Sequence, residues 1–178
     1  MQWLIEVEYL YKMVKQFFVS GCQRSGTRFY SKYLAKKNNI EYIDEDTFGV
    51  YDYKRLKELL KDKKDFSVHC PSLKQHISDI KKDFPKCKVI WMRRNPAECE
   101  MSMKKINWEK HADREINAIQ SLMPTFNEAL YENKFQAVIF GSVFLALYYE
   151  DVNLVDEIIR MENISHLEGF KQGTKLEN

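Results

Sequence analysis

The chain has 178 residues, 44% of them hydrophobic, which is enough for one domain whose core closes without disulfides or metal. With 28 Lys and Arg against 26 Asp and Glu, the formal net charge of +2 excludes a chain-wide electrostatic footprint for nucleic acid or an anionic membrane, so any anion site has to be local. Cys22, Cys70, Cys87 and Cys99 form no CxxC pair and no Cys/His cluster of zinc-ligand spacing, which fits a reducing compartment and predicts no bound metal.

Residues 1–12 carry two glutamates inside an apolar stretch and lack a basic start or a small-residue cleavage site, so no secretory signal is expected there. The longest apolar run, 137–149, is shorter than the about 20 residues a bilayer-spanning helix needs. The expectation is a cytoplasmic protein, with neither membrane nor nucleic acid among its partners. It is read as a single domain over 1–178, with its core at about 14–165 and a flexible tail at 169–178.

In chain order, 16–20 (QFFVS) is an apolar, aromatic run that stops at Gly21, and Phe29, Tyr30, Tyr33 and Leu34 then recur at helical spacing. The reading is strand, loop, helix. A short strand at 40–43 leads into the acidic turn Asp44, Glu45, Asp46 and a helix near 53–61. A strand at 66–69 ends before Pro71, with Ser72 placed to cap a helix through 82. The run 87–92 (CKVIWM) has the continuous apolar character of a strand buried on both faces, and Pro96 suits the first turn of a helix to about 105. Residues 111–134 read as mostly helical with a break at Pro124. A last strand is expected around 143–149, then Glu150 and Asp151 as capping or bracing residues, then a helix at 153–161. Strands alternating with helices, without hairpin turns, predict an α/β fold with a parallel sheet covered on both faces. Ligands on such sheets bind at the carboxyl ends of the strands.

The strongest local signal is Gly21-Cys22-Gln23-Arg24-Ser25-Gly26-Thr27-Arg28 between the first strand and helix. Such a turn aims backbone N–H groups and a helix N-terminus at one point, making an anion site. Gly21 and Gly26 have the spacing of a nucleoside-triphosphate P-loop, but Thr27 and Arg28 stand where its Lys and Ser/Thr would follow. Arg24 inside the loop offers a planar fork for a phosphate or sulfate group, and Ser25 and Thr27 offer hydroxyls. The alternative for the loop alone is a glycine-rich turn with a solvated arginine.

The segment 89–103 (VIWMRRNPAECEMSM) carries Arg94, Asn95 and Pro96 after a strand, with Ser102 eight residues beyond Arg94. It resembles the 3'-phosphate-binding segment of sulfotransferases that use 3'-phosphoadenosine 5'-phosphosulfate (PAPS), and the loop at 21–28 resembles their 5'-phosphosulfate loop. His69-Cys70-Pro71 resembles the His-Leu-Pro of the cytosolic enzymes, whose histidine is the catalytic base; Ser67 stands where those enzymes have a lysine. Tyr149-Glu150-Asp151-Val152 resembles the Tyr-Glu-Asp-Leu that ends a late strand, and Lys171-Gln172-Gly173-Thr174 is a faint echo of the C-terminal nucleotide loop.

The resemblance implies a three-layer sandwich, a central mostly parallel sheet flanked by helices, in the P-loop NTPase-like sulfotransferase fold. It implies PAPS as donor, PAP as product and no metal requirement. His69 and Arg24 are the catalytic candidates; Gly21, Cys22, Gln23, Arg24, Ser25, Gly26, Thr27, Arg28, Arg94 and Ser102 are the donor-binding candidates. The acceptor is a small molecule or carbohydrate offering a hydroxyl or amine, met in the region 103–135. Arg93 is expected as a structural ion-pair partner, and His76, His111 and His166 as surface or helix residues. Two other readings stand beside this one: a magnesium-dependent P-loop kinase or NTPase, and a non-catalytic module that binds PAPS or another nucleotide.

Overall fold

The computed structural model describes residues 15–167; the readings made for 1–12, for 169–178 and for 171–174 lie outside them. Strand β1 (Gln16–Gly21) runs through the loop into α1 (Thr27–Asn38), which ends on Asn39 in the left-handed conformation, φ 53°, with its N–H on the carbonyls of Ala35 and Lys36. Next come β2 (Glu41–Ile43), the single turn α2 (Glu45–Phe48) capped by Asp44, and α3 (Tyr53–Leu60) capped by Asp52. Strand β3 (Phe66–His69), a 3-10 turn (Pro71–His76) and α4 (Ile77–Asp83) precede β4 (Lys88–Arg93). Helix α5 (Pro96–Lys105) starts with Pro96 in its first turn and the Asn95 carboxamide accepting the N–H groups of Ala97 and Glu98. Helices α6 (Glu109–Leu122) and α7 (Lys134–Asp151) and strand β5 (Glu157–Arg160) complete the fold.

The five strands form one parallel sheet in the order β2-β3-β1-β4-β5. Val19 pairs with His69, Gly21 with Met92 and Arg93 with Arg160, so the carboxyl ends of the strands lie along one edge. The chain passes from one side of β1 to the other between β3 and β4. This opens a crevice over the end of β1, where ligands bind on such sheets.

Side chains alternate across the sheet with period 2. Phe18, Phe66, Val68, Val89 and Trp91 pack with Leu56, Ile77, Ile80, Ile119 and Tyr149, while Val19, Ile90 and Met92 pack on the other face with Leu34 and Ile164. Because both sets are apolar, the central strands read as unbroken hydrophobic runs. The expected α/β architecture, a parallel sheet flanked by helices, is the one found.

The structure corrects three expectations. The run 143–149, expected as a strand, lies inside the 18-residue helix α7, and the last strand is Glu157–Arg160, inside the segment expected as a helix. The buried positions of α7 (Val138, Ser142, Leu145, Ala146 and Tyr149) have helical spacing, but Phe140, Phe144, Leu147 and Tyr148 on the outer face are apolar too. Hydrophobicity on all sides erases the period that identifies a helix. Second, Ser72 does not cap a helix: it sits in the 3-10 turn, where its Oγ accepts the N–H of Tyr51 and its own N–H donates to Glu45. Third, Arg93 forms no ion pair among the described residues. No described helix is long and apolar enough to cross a membrane.

Candidate active site

The crevice is built first by the loop after β1. Gly21 has φ 138°, and a Cβ there would lie 2.5 Å from the Met92 carbonyl oxygen on the neighbouring strand. Only glycine lets β1 stay paired with β4 while the chain turns out of the sheet. Arg24, φ 69°, and Gly26, φ 82°, then curl the loop into the start of α1. The main-chain N–H groups of Ser25, Gly26, Thr27 and Arg28 find no acceptor among the described residues. Together with the positive end of the α1 dipole they form a cradle for an anion.

The end of β4 locks onto this loop. Arg94 donates from Nη1 to the Arg24 carbonyl, 2.9 Å, and from Nε to Glu98, 3.4 Å; Arg24 donates from Nε to Ser102 Oγ, 2.8 Å. The two candidate donor-binding motifs, 78 residues apart at Arg24 and Ser102, therefore meet in one place. Burial lowers the pKa of the Arg24 guanidinium, and the neighbouring Arg94 adds to this. Two cations held side by side make a concentrated positive field at the mouth of the cradle. Beneath the loop, the Cys99 thiol donates to the Gln23 carbonyl, 3.2 Å, and lies against Ser25 and Cys22.

On the other side stands His69, 4% exposed at the end of β3. Its Nε2 shares a 3.0 Å hydrogen bond with Thr27 Oγ1, and its Nδ1, which has no hydrogen-bond partner among the described residues, lies 3.7 Å from the Asp44 carboxylate. Asp44 also receives Arg28, 3.0 Å, and the hydroxyl of Tyr42. Burial by itself would raise the Asp44 carboxyl, but His69, Tyr42 and the Asp46 amide together hold it well below the usual carboxylate range. Asp44, His69 and Thr27 thus run from an ionised carboxylate through an imidazole to the edge of the anion cradle. Ser67 supplies no cation here: its hydroxyl is buried against Ser31.

These groups line a cleft of about 620 Å³, bounded by Gln23, Arg24, Thr27, Arg28 and His69 on one side and by Lys105, Trp108 and His111 on the other. Glu45 also lines it, with burial raising its pKa. A second cleft of about 450 Å³ lies around the corner between Arg93, Arg94, Arg160 and Glu162.

The candidates are therefore not equivalent. Arg24, Thr27, Arg28 and His69 face the cleft, and Arg94 and Ser102 brace Arg24. Cys22 is buried, and the Gln23 carboxamide is taken up by Lys74 and Glu115. His111 is an exposed helix residue, as expected, and also lines the cleft beside Trp108. Asp44 was visible only as part of an acidic turn, and Glu115 gave no signal at all. The stretch 149–152 sits at the end of α7 near the amino ends of the strands, where Asp156 N–H reaches the Val89 carbonyl. The Tyr149 hydroxyl donates to the Lys74 carbonyl, 2.7 Å, while the exposed Glu150 and Asp151 side chains brace nothing among the described residues.

The carboxyl edge of the parallel α/β sheet thus brings together a loop with unclaimed N–H groups, two arginines and a histidine. The chain belongs to the sulfotransferase family, whose sequence model matches residues 50–164, more than half of the 178. The matched stretch contains His69, Arg94 and Ser102 and begins after the anion loop. No match was found among curated proteins.

Proposed function

We propose that the protein transfers a sulfuryl group from PAPS to a hydroxyl or amine of a small-molecule or carbohydrate acceptor bound in the larger cleft. The observation that carries this reading is the junction of the two motifs: the unclaimed N–H groups of 25–28, Arg24 and Arg94 converge beside a cleft that His69 lines.

In this reading the loop N–H groups and the Arg24 side chain hold the 5'-phosphosulfate. Arg94, beside Arg93 and Arg160 in the second cleft, faces the 3'-phosphate, with Ser102 next to it on Arg24. Asp44 keeps the His69 ring oriented through Nδ1, and Nε2 takes the acceptor proton in the place now held by the Thr27 hydroxyl. Catalytic hydrogen bonds of this kind are commonly long before substrate binds. The acceptor oxygen or nitrogen forms its bond to sulfur as the bond from sulfur to the bridging phosphate oxygen breaks. The charge that develops on that oxygen falls on the loop N–H groups and arginines.

The test is a calorimetric titration with PAP, against ADP and with R94A alongside. Micromolar PAP binding without magnesium, weaker ADP binding and loss of the preference in R94A are expected. Absence of PAP binding, or equal binding of ADP with magnesium, would overturn the reading in favour of a nucleotide kinase or NTPase. Tight PAP binding with no transfer to any acceptor, unchanged in H69A, would instead leave a binding module.

A further inference from the structure

Behind the anion loop lies an ion pair sealed from solvent. The Lys74 ammonium and the Glu115 carboxylate bond to each other with side chains 0% and 1% exposed. Between them sits Gln23 of the loop: Lys74 Nζ donates to Gln23 Oε1, 2.8 Å, and Gln23 Nε2 donates to Glu115 Oε1, 2.5 Å. The Tyr51 hydroxyl closes the group on the same carboxylate oxygen, 2.5 Å.

Such a pair is not needed to fill the core. Taking two charges out of water is expensive, and apolar side chains of similar volume do as well or better for stability. What the pair does that leucine and methionine cannot is read both ends of an amide at once. It fixes the side chain of Gln23 while the Cys99 thiol holds the main-chain carbonyl of the same residue. The next residue, Arg24, has a backbone conformation unfavourable for a side-chain-bearing residue, φ 69°. Conformations of that kind persist only where the surroundings over-determine them.

We infer that the buried Lys74–Glu115 pair is a positioning device for the anion loop, holding Gln23 so that Arg24 and the N–H groups of 25–28 keep the geometry of the cradle. Neither charge touches substrate; both act through Gln23. The inference rests on the PAPS reading only for the identity of the natural ligand.

The experiment compares the wild type with Q23A, with K74M/E115L and with the triple variant, titrating PAP by calorimetry and, separately, inorganic sulfate by thermal shift, with urea unfolding as the control for folding. K74M/E115L is expected to unfold at the same urea concentration as the wild type or a higher one, yet to bind both ligands about fivefold more weakly. Q23A is expected to lose the same factor, and the triple variant to be no weaker than either. Unchanged ligand affinity in K74M/E115L, or losses that multiply in the triple variant, would overturn the inference. If the wild type binds sulfate and not PAP, the PAPS reading fails while the sulfate series still decides the role of the pair.

Discussion

Adding one methyl group at position 21 tests whether the β1–β4 junction controls both the fold and the cradle. In Gly21→Ala the new carbon would lie 2.5 Å from the Met92 carbonyl oxygen, 3.1 Å from its nitrogen and 3.3 Å from its carbonyl carbon. The first contact is about 1 Å inside ordinary van der Waals distance. Every atom it meets is backbone of a central strand, so no flexible side chain can move aside. A φ of 138° is also a region that alanine avoids. The backbone strain costs about 1–3 kcal/mol and the overpacking about as much again, so Gly21→Ala should lower unfolding free energy by roughly 2–5 kcal/mol. Urea denaturation measures this directly. Because Arg24 and the loop hang from this residue, PAP affinity should fall as well in protein that remains folded. A Gly21→Ala protein within about 0.5 kcal/mol of wild type, binding PAP normally, would refute the argument that this glycine exists to pass Met92.

Asp44→Asn keeps the cap on the Asp46 amide but removes the charge that faces Arg28 and His69. The Asp44 carboxyl is held below its unfolded-state pKa, so its contribution is present above the ordinary carboxylate pKa of about 3.9 and is lost as the pH falls through the folded value. The variant should be about 1–3 kcal/mol less stable at pH 7, with the deficit shrinking as the pH falls below about 4; an equal deficit at both pH values in urea unfolding would show that the charge is not the cause. In α7, alanine at Gly141 would place its Cβ 2.7 Å from Ile119 Cδ1, where α6 and α7 cross. The helix propensity gained, about 1 kcal/mol, is outweighed by overpacking of about 1–3 kcal/mol. G141A should therefore lower the melting temperature, and G141A/I119V should lose less than the sum of its single variants; a G141A protein more stable than wild type would reject the close crossing.

Most of the framework that carries the site was legible in the residues themselves. The runs 16–20, 66–69 and 87–92 are strands, Asn95-Pro96 opens a helix, and the glycine-bracketed loop lies between strand and helix as expected. Each of these signals is local: an apolar run, a cap, a turn that needs glycine. What the residues could not reveal lies in the partners that tertiary packing chose. Helix α7 and strand β5 were exchanged because one is apolar on every side and the other is a short edge strand whose identity comes from pairing with β4. Lys74 meets Glu115 across 41 positions, His69 meets Thr27 across 42 and Arg24 meets Ser102 across 78, and each pair exists only because the helices pack against the sheet and its loops. The sequence by itself determined the first four strands, the glycine-bracketed loop and the residue types around it. Only the tertiary structure decided which charges are buried together, which side chains brace the loop and which face the cleft, because burial and pairing belong to the packed chain and not to any segment of it.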